Sequence, residues 1–154
     1  MNRTFALLLL AVALAPPALG HSHKHKALEI VHPWTPAMVE ANITDITVFM
    51  TIKNGSNAVE RLLSAATPLA EKVELIELQS HGSMTLPAPV SAFRIPAGDK
   101  LELNVNGPRL LLSGFKKRLN AYDSFNLTLV FEKAGRMVVE VMVEEAETTQ
   151  PHKH

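Results

Sequence analysis

The chain has 154 residues, a length suited to a single domain, and balances 15 Lys+Arg against 15 Asp+Glu with seven histidines. Zero formal net charge argues against the basic face that a nucleic-acid backbone demands, and zero cysteines exclude disulfides, thiolate zinc sites, iron–sulfur clusters and thiol nucleophiles. A hydrophobic content of 47% with 19% charged residues is enough to build a packed core.

Taken from the N-terminus, residues 1–20 have the layout of a secretory signal peptide: Arg3, an apolar run from Phe5 to Leu14, then small residues. The run is too short to span a bilayer comfortably and no later segment is more apolar, so the mature form is expected to be periplasmic with no membrane span. Cleavage after Gly20 places Ala18 and Gly20 at the small-residue positions and leaves His21 first. The competing cut, after Ala15, leaves Pro16 first, which signal peptidase tolerates poorly. Residues 21–27 form a His-rich segment carrying His21, His23 and His25, and residues 146–154 form a polar tail carrying His152 and His154. Both ends are expected to be mobile.

Between them, residues 28–145 read as an all-β domain. In 46–53 every second side chain, Ile46, Val48, Met50 and Ile52, is aliphatic, as a half-buried strand requires. Asn54-Gly55-Ser56-Asn57 then supplies residues that tolerate positive φ, the signature of a tight hairpin turn. Similar strands are expected at 72–78, 100–105, 124–131 and 137–143, punctuated by Pro96-Ala97-Gly98-Asp99 and Lys133-Ala134-Gly135. Many short strands with regular turns and no sustained 3.6-residue period point to an antiparallel β-sandwich.

These pieces also carry a resemblance. Trp34 near the first strand, then "TVFMTIKN", "ERLLSAATPLAEKVELIE", "FRIPAGDKLEL", "LSGFKKRL" and "LTLVFEKAGRMVVEV", in that order, resemble the PCu(A)C family of periplasmic copper chaperones. The resemblance covers most of residues 30–143 and implies a cupredoxin-like, Ig-like β-sandwich that holds one copper ion and delivers it to a copper-accepting exported or membrane cuproenzyme. It also implies a ligand set of a His, a Met and a His-x-Met pair, and here the sequence departs. Aligned by its flanks, the pattern falls on Ile76, Pro87, Arg109 and Leu111. Aliphatic side chains and proline offer no donor, and a guanidinium is a permanent cation. The thioether chemistry that selects Cu(I) is missing from the family's place.

The histidines suggest that the site has moved. A first-residue His21 offers two nitrogen donors, its α-amine and Nδ1, and one further imidazole completes a T-shaped histidine brace suited to Cu(II). Two histidines lie inside the domain as partners: His32, two residues before Trp34, and His81, in a loop after the strand holding Ile76. Met84 follows His81 closely and offers a weak soft contact. His23, third from a cleaved terminus, offers a rival square-planar chelate through the amine, two backbone amides and its own imidazole. One of Asp45, Asp99 and Asp123 is a candidate axial oxygen donor. The expected cofactor is therefore one copper ion, as Cu(II), with no nucleic-acid partner. Two other readings stay open: a brace-type copper oxidase, or a metal-free interaction module that kept the sandwich. Against an enzyme, there is no Gly-x-Ser-x-Gly elbow and no phosphate-binding glycine loop. Lys116-Lys117-Arg118 reads as a solvated turn.

Overall fold

The computed structural model of the protein describes residues 22–40 and 42–146. Their secondary structure is entirely strand and turn: β1 (Ser22–His25), β2 (Leu28–Pro36), β3 (Ile46–Asn54), β4 (Glu60–Ala66), β5 (Lys72–His81), β6 (Met84–Val90), β7 (Phe93–Ile95), β8 (Lys100–Leu103), β9 (Arg109–Ser113), β10 (Ser124–Phe131) and β11 (Gly135–Glu144). The order across the sheet is β6-β5-β9-β3-β2-β11-β10-β4-β7, with β1 beside β2 and β8 beside β3. Strand β3 joins the two layers of the sandwich. Its first residues, Ile46 to Val48, pair with β9, and Met50 to Lys53 pair with β8.

Alternation decides which side chains enter the core. On β10, Phe125, Leu127, Leu129 and Phe131 are buried while the residues between them face outward, and β11 does the same with Met137, Val139, Val141 and Val143. Leu62 and Phe93 meet them from β4 and β7, and Leu75, Leu110 and Leu112 close the core from the other layer. Burying a Leu or Phe side chain fully contributes about 1.5–3 kcal/mol each, so this contiguous cluster dominates the favourable terms.

Four expectations change. The strands are mostly antiparallel, but β11 runs parallel to β2 through Met142↔Trp34, Val143↔Thr35 and Glu144↔Pro36. Side-chain alternation is the same in either direction, so only the long connection around the sandwich sets the sense of this ladder. Asn54-Gly55 is not a hairpin turn. Asn54 is buried, and its amide donates to the carbonyls of Ala58, Ile95 and Pro96 as the chain crosses from β3 to the other layer. Gly55 brings its N–H to the Ala27 carbonyl at 2.8 Å, and a Cβ there would meet that oxygen at 3.2 Å.

Residues 22–25, expected as part of a mobile tail, form β1 and pair with β2 from Ser22↔Val31 to His25↔Leu28. Two imidazoles fasten this strand to the body: His23 Nε2 accepts from the Glu140 N–H, and His25 Nε2 contacts the Ala134 carbonyl, both at 3.3 Å. His81 is not in a loop but ends β5, opposite Met84 across the two-residue turn Gly82-Ser83. The signal peptide, His21, and the tail with His152 and His154 lie outside the described residues.

Candidate metal centre

Strand register fixes where the family's ligand positions stand. Ile76 pairs with Arg109 on β9 and with Pro89 on β6, Glu74 pairs with Leu111, and Leu78 pairs with Pro87. Residues two apart on a strand, and cross-strand partners, share a face. Ile76, Pro87, Arg109 and Leu111 therefore stand together on the outer face of three adjacent strands, opposite the side from which Leu75, Leu110 and Leu112 enter the core. Ile76 is itself buried, and Arg109 Nη1 donates to the carbonyls of Val105 and Gly107 at 3.4 Å. The positions are gathered as a copper site requires, but their side chains do not fit copper: none offers a lone pair and one presents a cation.

A different set of donors lies where β2 meets β11. Between Val31↔Thr51 and Trp34↔Phe49 the register slips, so His32 and Pro33 stand against the single residue Met50. His32 takes the left-handed conformation that lets the bulge close, with φ of 51°. The bulge turns its side chain outward. There His32 Nε2 contacts the Glu144 carboxylate, and the imidazole stacks on Trp34 with ring centroids 6.0 Å apart and planes 16° apart. Trp34 is held from its other neighbour by Phe49, at 5.1 Å between centroids. Glu144 and Met142 sit two residues apart on β11 with side chains to the same side, and Met142 is the direct ladder partner of Trp34.

A cleft of about 530 Å³ opens beside this cluster, lined by His32, Tyr122, Met142, Glu144 and Glu145. The Tyr122 hydroxyl donates to Glu145 at 2.8 Å. That hydrogen bond, together with the charge of the carboxylate, raises the phenol above its ordinary pKa. An imidazole, a thioether and carboxylates around one cleft are metal-type donors. The Tyr122 ring makes up part of its wall.

The predicted ligands are thus distributed over separate places. His32 is at the β2–β11 seam. His81 and Met84 form a cross-strand pair at the tip of the β5–β6 hairpin, and Met84 is 60% exposed. Strands β9 and β3 stand between β5 and β2 in the sheet order, so His32 and His81 are not brought into one site. His23 is half-buried and committed to the Glu140 N–H, and Ser22–His25 is laddered to β2. The square-planar chelate through the amides of Ser22 and His23 therefore requires this strand to unpair. His21, the brace residue, lies outside the described residues; the last described pair of β1 is Ser22↔Val31, one position short of His32 on β2.

The three aspartates, one of which was a candidate axial donor, each accept from a backbone amide. Asp45 accepts from Gly114 N–H, Asp99 from Lys100 N–H and Asp123 from Asn120 N–H, at 3.3, 2.8 and 2.9 Å. Among the described residues no three His, Cys, Asp or Glu side chains converge as a preformed cage. Sequence reasoning passed over Glu144 and Met142. A signal was present: along β11 the core takes the odd-numbered positions, which puts Met142, a soft apolar side chain, on the outward face.

Comparison with known proteins places this architecture. The sandwich matches the copper-bound PCuAC domain from PmoF2 with a TM-score of 0.70 at 24% identity, over 82% of this chain and 99% of that one. It matches the apo PCuAC domain from PmoF1 equally well, with a TM-score of 0.70 at 21% identity, over 82% and 100%. The solution structure of CuI-DR1885 from Deinococcus radiodurans matches with a TM-score of 0.64 at 26% identity, over 86% and 87%. The fold is that of a PCuAC domain. Within that class, the family described as "Putative lipoprotein LpqE-like" matches residues 28–143, and the chain belongs to the LpqE-like family. A curated relative, "Putative lipoprotein Lxx21020" from Leifsonia xyli subsp. xyli, is 31% identical over 98 residues, which is 63% of this chain and 59% of that protein. The chain therefore spans less than two thirds of this relative's length.

Proposed function

We propose that this protein is an exported, non-enzymatic copper-binding domain of the PCuAC type, which holds copper in the periplasm and delivers it to, or stores it for, an exported or membrane cuproenzyme. Two structures of this fold carry copper in their own descriptions, CuI-DR1885 among them. The observation that carries the reading for this chain is His32: a bulge sets its imidazole outward against a carboxylate, on the strand that pairs with the His-rich β1. In this reading His32 is the domain's imidazole ligand. His21 adds its amine and Nδ1 when processing leaves it first, completing a nitrogen-rich Cu(II) site. The relatives' description as lipoproteins supports export.

The test uses the only tryptophan in the chain, Trp34. A copper ion on His32 lies within one side chain of the indole and quenches its fluorescence. The exported, processed protein is expected to lose Trp34 emission on stoichiometric Cu(II). His32→Ala should abolish the response and His81→Ala should retain it. One extra residue ahead of His21 should weaken it, because the amine is then displaced. Undiminished quenching in His32→Ala would refute the site.

A second reading rests on the β5–β6 hairpin. His81 and Met84 face each other across its turn and both are exposed, so they could clamp one ion between imidazole and thioether. Binding there would be lost in His81→Ala and would leave Trp34 emission unchanged.

A further inference from the structure

The vacated family face and the β2–β11 seam differ in one chemical respect. Ile76, Pro87, Arg109 and Leu111 supply no donor, whereas the seam gathers a nitrogen, a sulfur and an oxygen within one cleft. We propose that the seam is a monovalent-copper site of its own, in which His32 and Met142 are the ligands, Glu144 positions His32, and Trp34 supports the imidazole by stacking on it. The proposal rests on the copper reading above, and it adds a soft donor that does not depend on where the chain is cleaved.

Four features of the structure converge on it. His32 holds a left-handed backbone at the bulge, and such strain is retained where the surroundings fix a side chain for use. Its Nε2 is engaged by the Glu144 carboxylate, which leaves Nδ1 as the ring's lone pair for a metal. A carboxylate that accepts the other ring N–H fixes the tautomer and makes the imidazole a better donor. Met142 is the ladder partner of Trp34, and both Met142 and His32 line the same cleft. Imidazole and thioether together favour Cu(I) over harder cations. Among the lining residues no Lys or Arg opposes a cation.

The two copper states then differ in ligands. Cu(II) draws on the amine of His21 and on imidazole, whereas Cu(I) draws on His32 and Met142. His32 is common to both ligand sets, so either ion is held at the same seam.

The experiment uses silver(I), a redox-inert ion with the ligand preferences of Cu(I), on the exported, processed protein labelled with methyl-13C methionine. The expected result is that one equivalent of Ag(I) shifts the Met142 methyl resonance, leaves Met84 in place and lowers Trp34 emission. Met142→Leu, close to isosteric, assigns the resonance and should weaken Ag(I) binding at least tenfold while leaving the Cu(II) response through His32. Glu144→Gln retains a ring partner but not its charge, and should weaken Ag(I) severalfold. A Met84 shift with Met142 unmoved moves the soft site to the hairpin and overturns the seam while the copper reading stands. A Trp34 response to Cu(II) with no methionine shift under Ag(I) likewise overturns the seam alone. No response to either ion removes both.

Discussion

The claim that the family's ligand positions are gathered but disabled can be tested by rebuilding them. In the double variant Ile76→His/Arg109→His, two imidazoles occupy a direct cross-strand pair on β5 and β9. Cβ atoms of such a pair lie about 4.5–5.5 Å apart, near enough for both rings to reach one ion. The single variant Ile76→His keeps the guanidinium. A cation about 5 Å from a monovalent ion at a surface-like dielectric near 20 is repelled by about 3 kcal/mol, which is about a hundredfold in affinity. Ag(I) competition titration should therefore show a new site in the double variant about two orders of magnitude tighter than any that Ile76→His creates on this face, with Trp34 emission unaffected by occupancy of this new site. Ile76 is only 6% exposed, so placing an imidazole there should cost about 1–3 kcal/mol of stability in urea unfolding. If the double variant gains no site beyond those of the parent, the register argument that puts these positions on one face is wrong. If Arg109→Ala abolishes copper binding by the parent, the face was never vacated.

Other consequences follow from single residues. Tyr122 is the chain's only tyrosine, so its ionisation can be followed alone by ultraviolet absorbance. The Glu145 hydrogen bond and charge should place its midpoint above that of a free phenol, and Glu145→Gln should lower it toward the ordinary value near 10. Removing the carboxylate removes what opposed the phenolate, so a midpoint that rises in the variant would reverse the assignment. Glu60 is buried and its carboxylate accepts from the N–H groups of Arg61, Lys133 and Ala134. Glu60→Ala leaves amides at the β10–β11 turn unpartnered and should cost about 2–4 kcal/mol in chemical denaturation, whereas an effect under 0.5 kcal/mol would show that water replaces the carboxylate. Gly114 has a φ of 65°, and a Cβ there would meet the Glu71 side chain at 2.7 Å. Glu71 can swing away, so Gly114→Ala should cost about 1–2 kcal/mol through backbone strain alone, and removing Glu71 should not restore stability.

Legibility varied from strand to strand. Strands at 46–53, 72–78, 124–131 and 137–143 were readable because each buries one side against a core, and burial writes a period of two into the chain. The short β7 and the unbroken run Arg109–Ser113 carry no such period, since a few residues cannot establish it and Leu111 faces outward as a third leucine. β6 was hidden by Pro87 and Pro89, which ordinarily argue against a strand. Counted from the two-residue turn, those prolines fall on the pairs whose amides point away from β5. β6 is the edge of the sheet, so the missing donors cost nothing there and blunt the edge against further pairing. β1 was taken for loose polar tail because nothing local requires Ser22–His25 to be a strand. Its partner β2 follows directly after the turn at Lys26-Ala27, but its imidazole contacts to Glu140 and Ala134 come from residues more than 100 positions away.

The sequence by itself determined that the domain is an all-β sandwich of the PCuAC type, and that the positions aligned with that family's ligands carry no metal donor. Both are properties of residue type in order: alternation sets burial, and aliphatic or guanidinium side chains carry no lone pair for a metal. Only the tertiary structure decided which histidines could act together. It separated His32 from His81 by two strands, tied His23 to Glu140, and brought Met142 and Glu144 to His32 from 110 and 112 residues away. Coordination depends on distances through space, and in a sandwich those are set by strand order and register. Neither can be read from spacing along the chain.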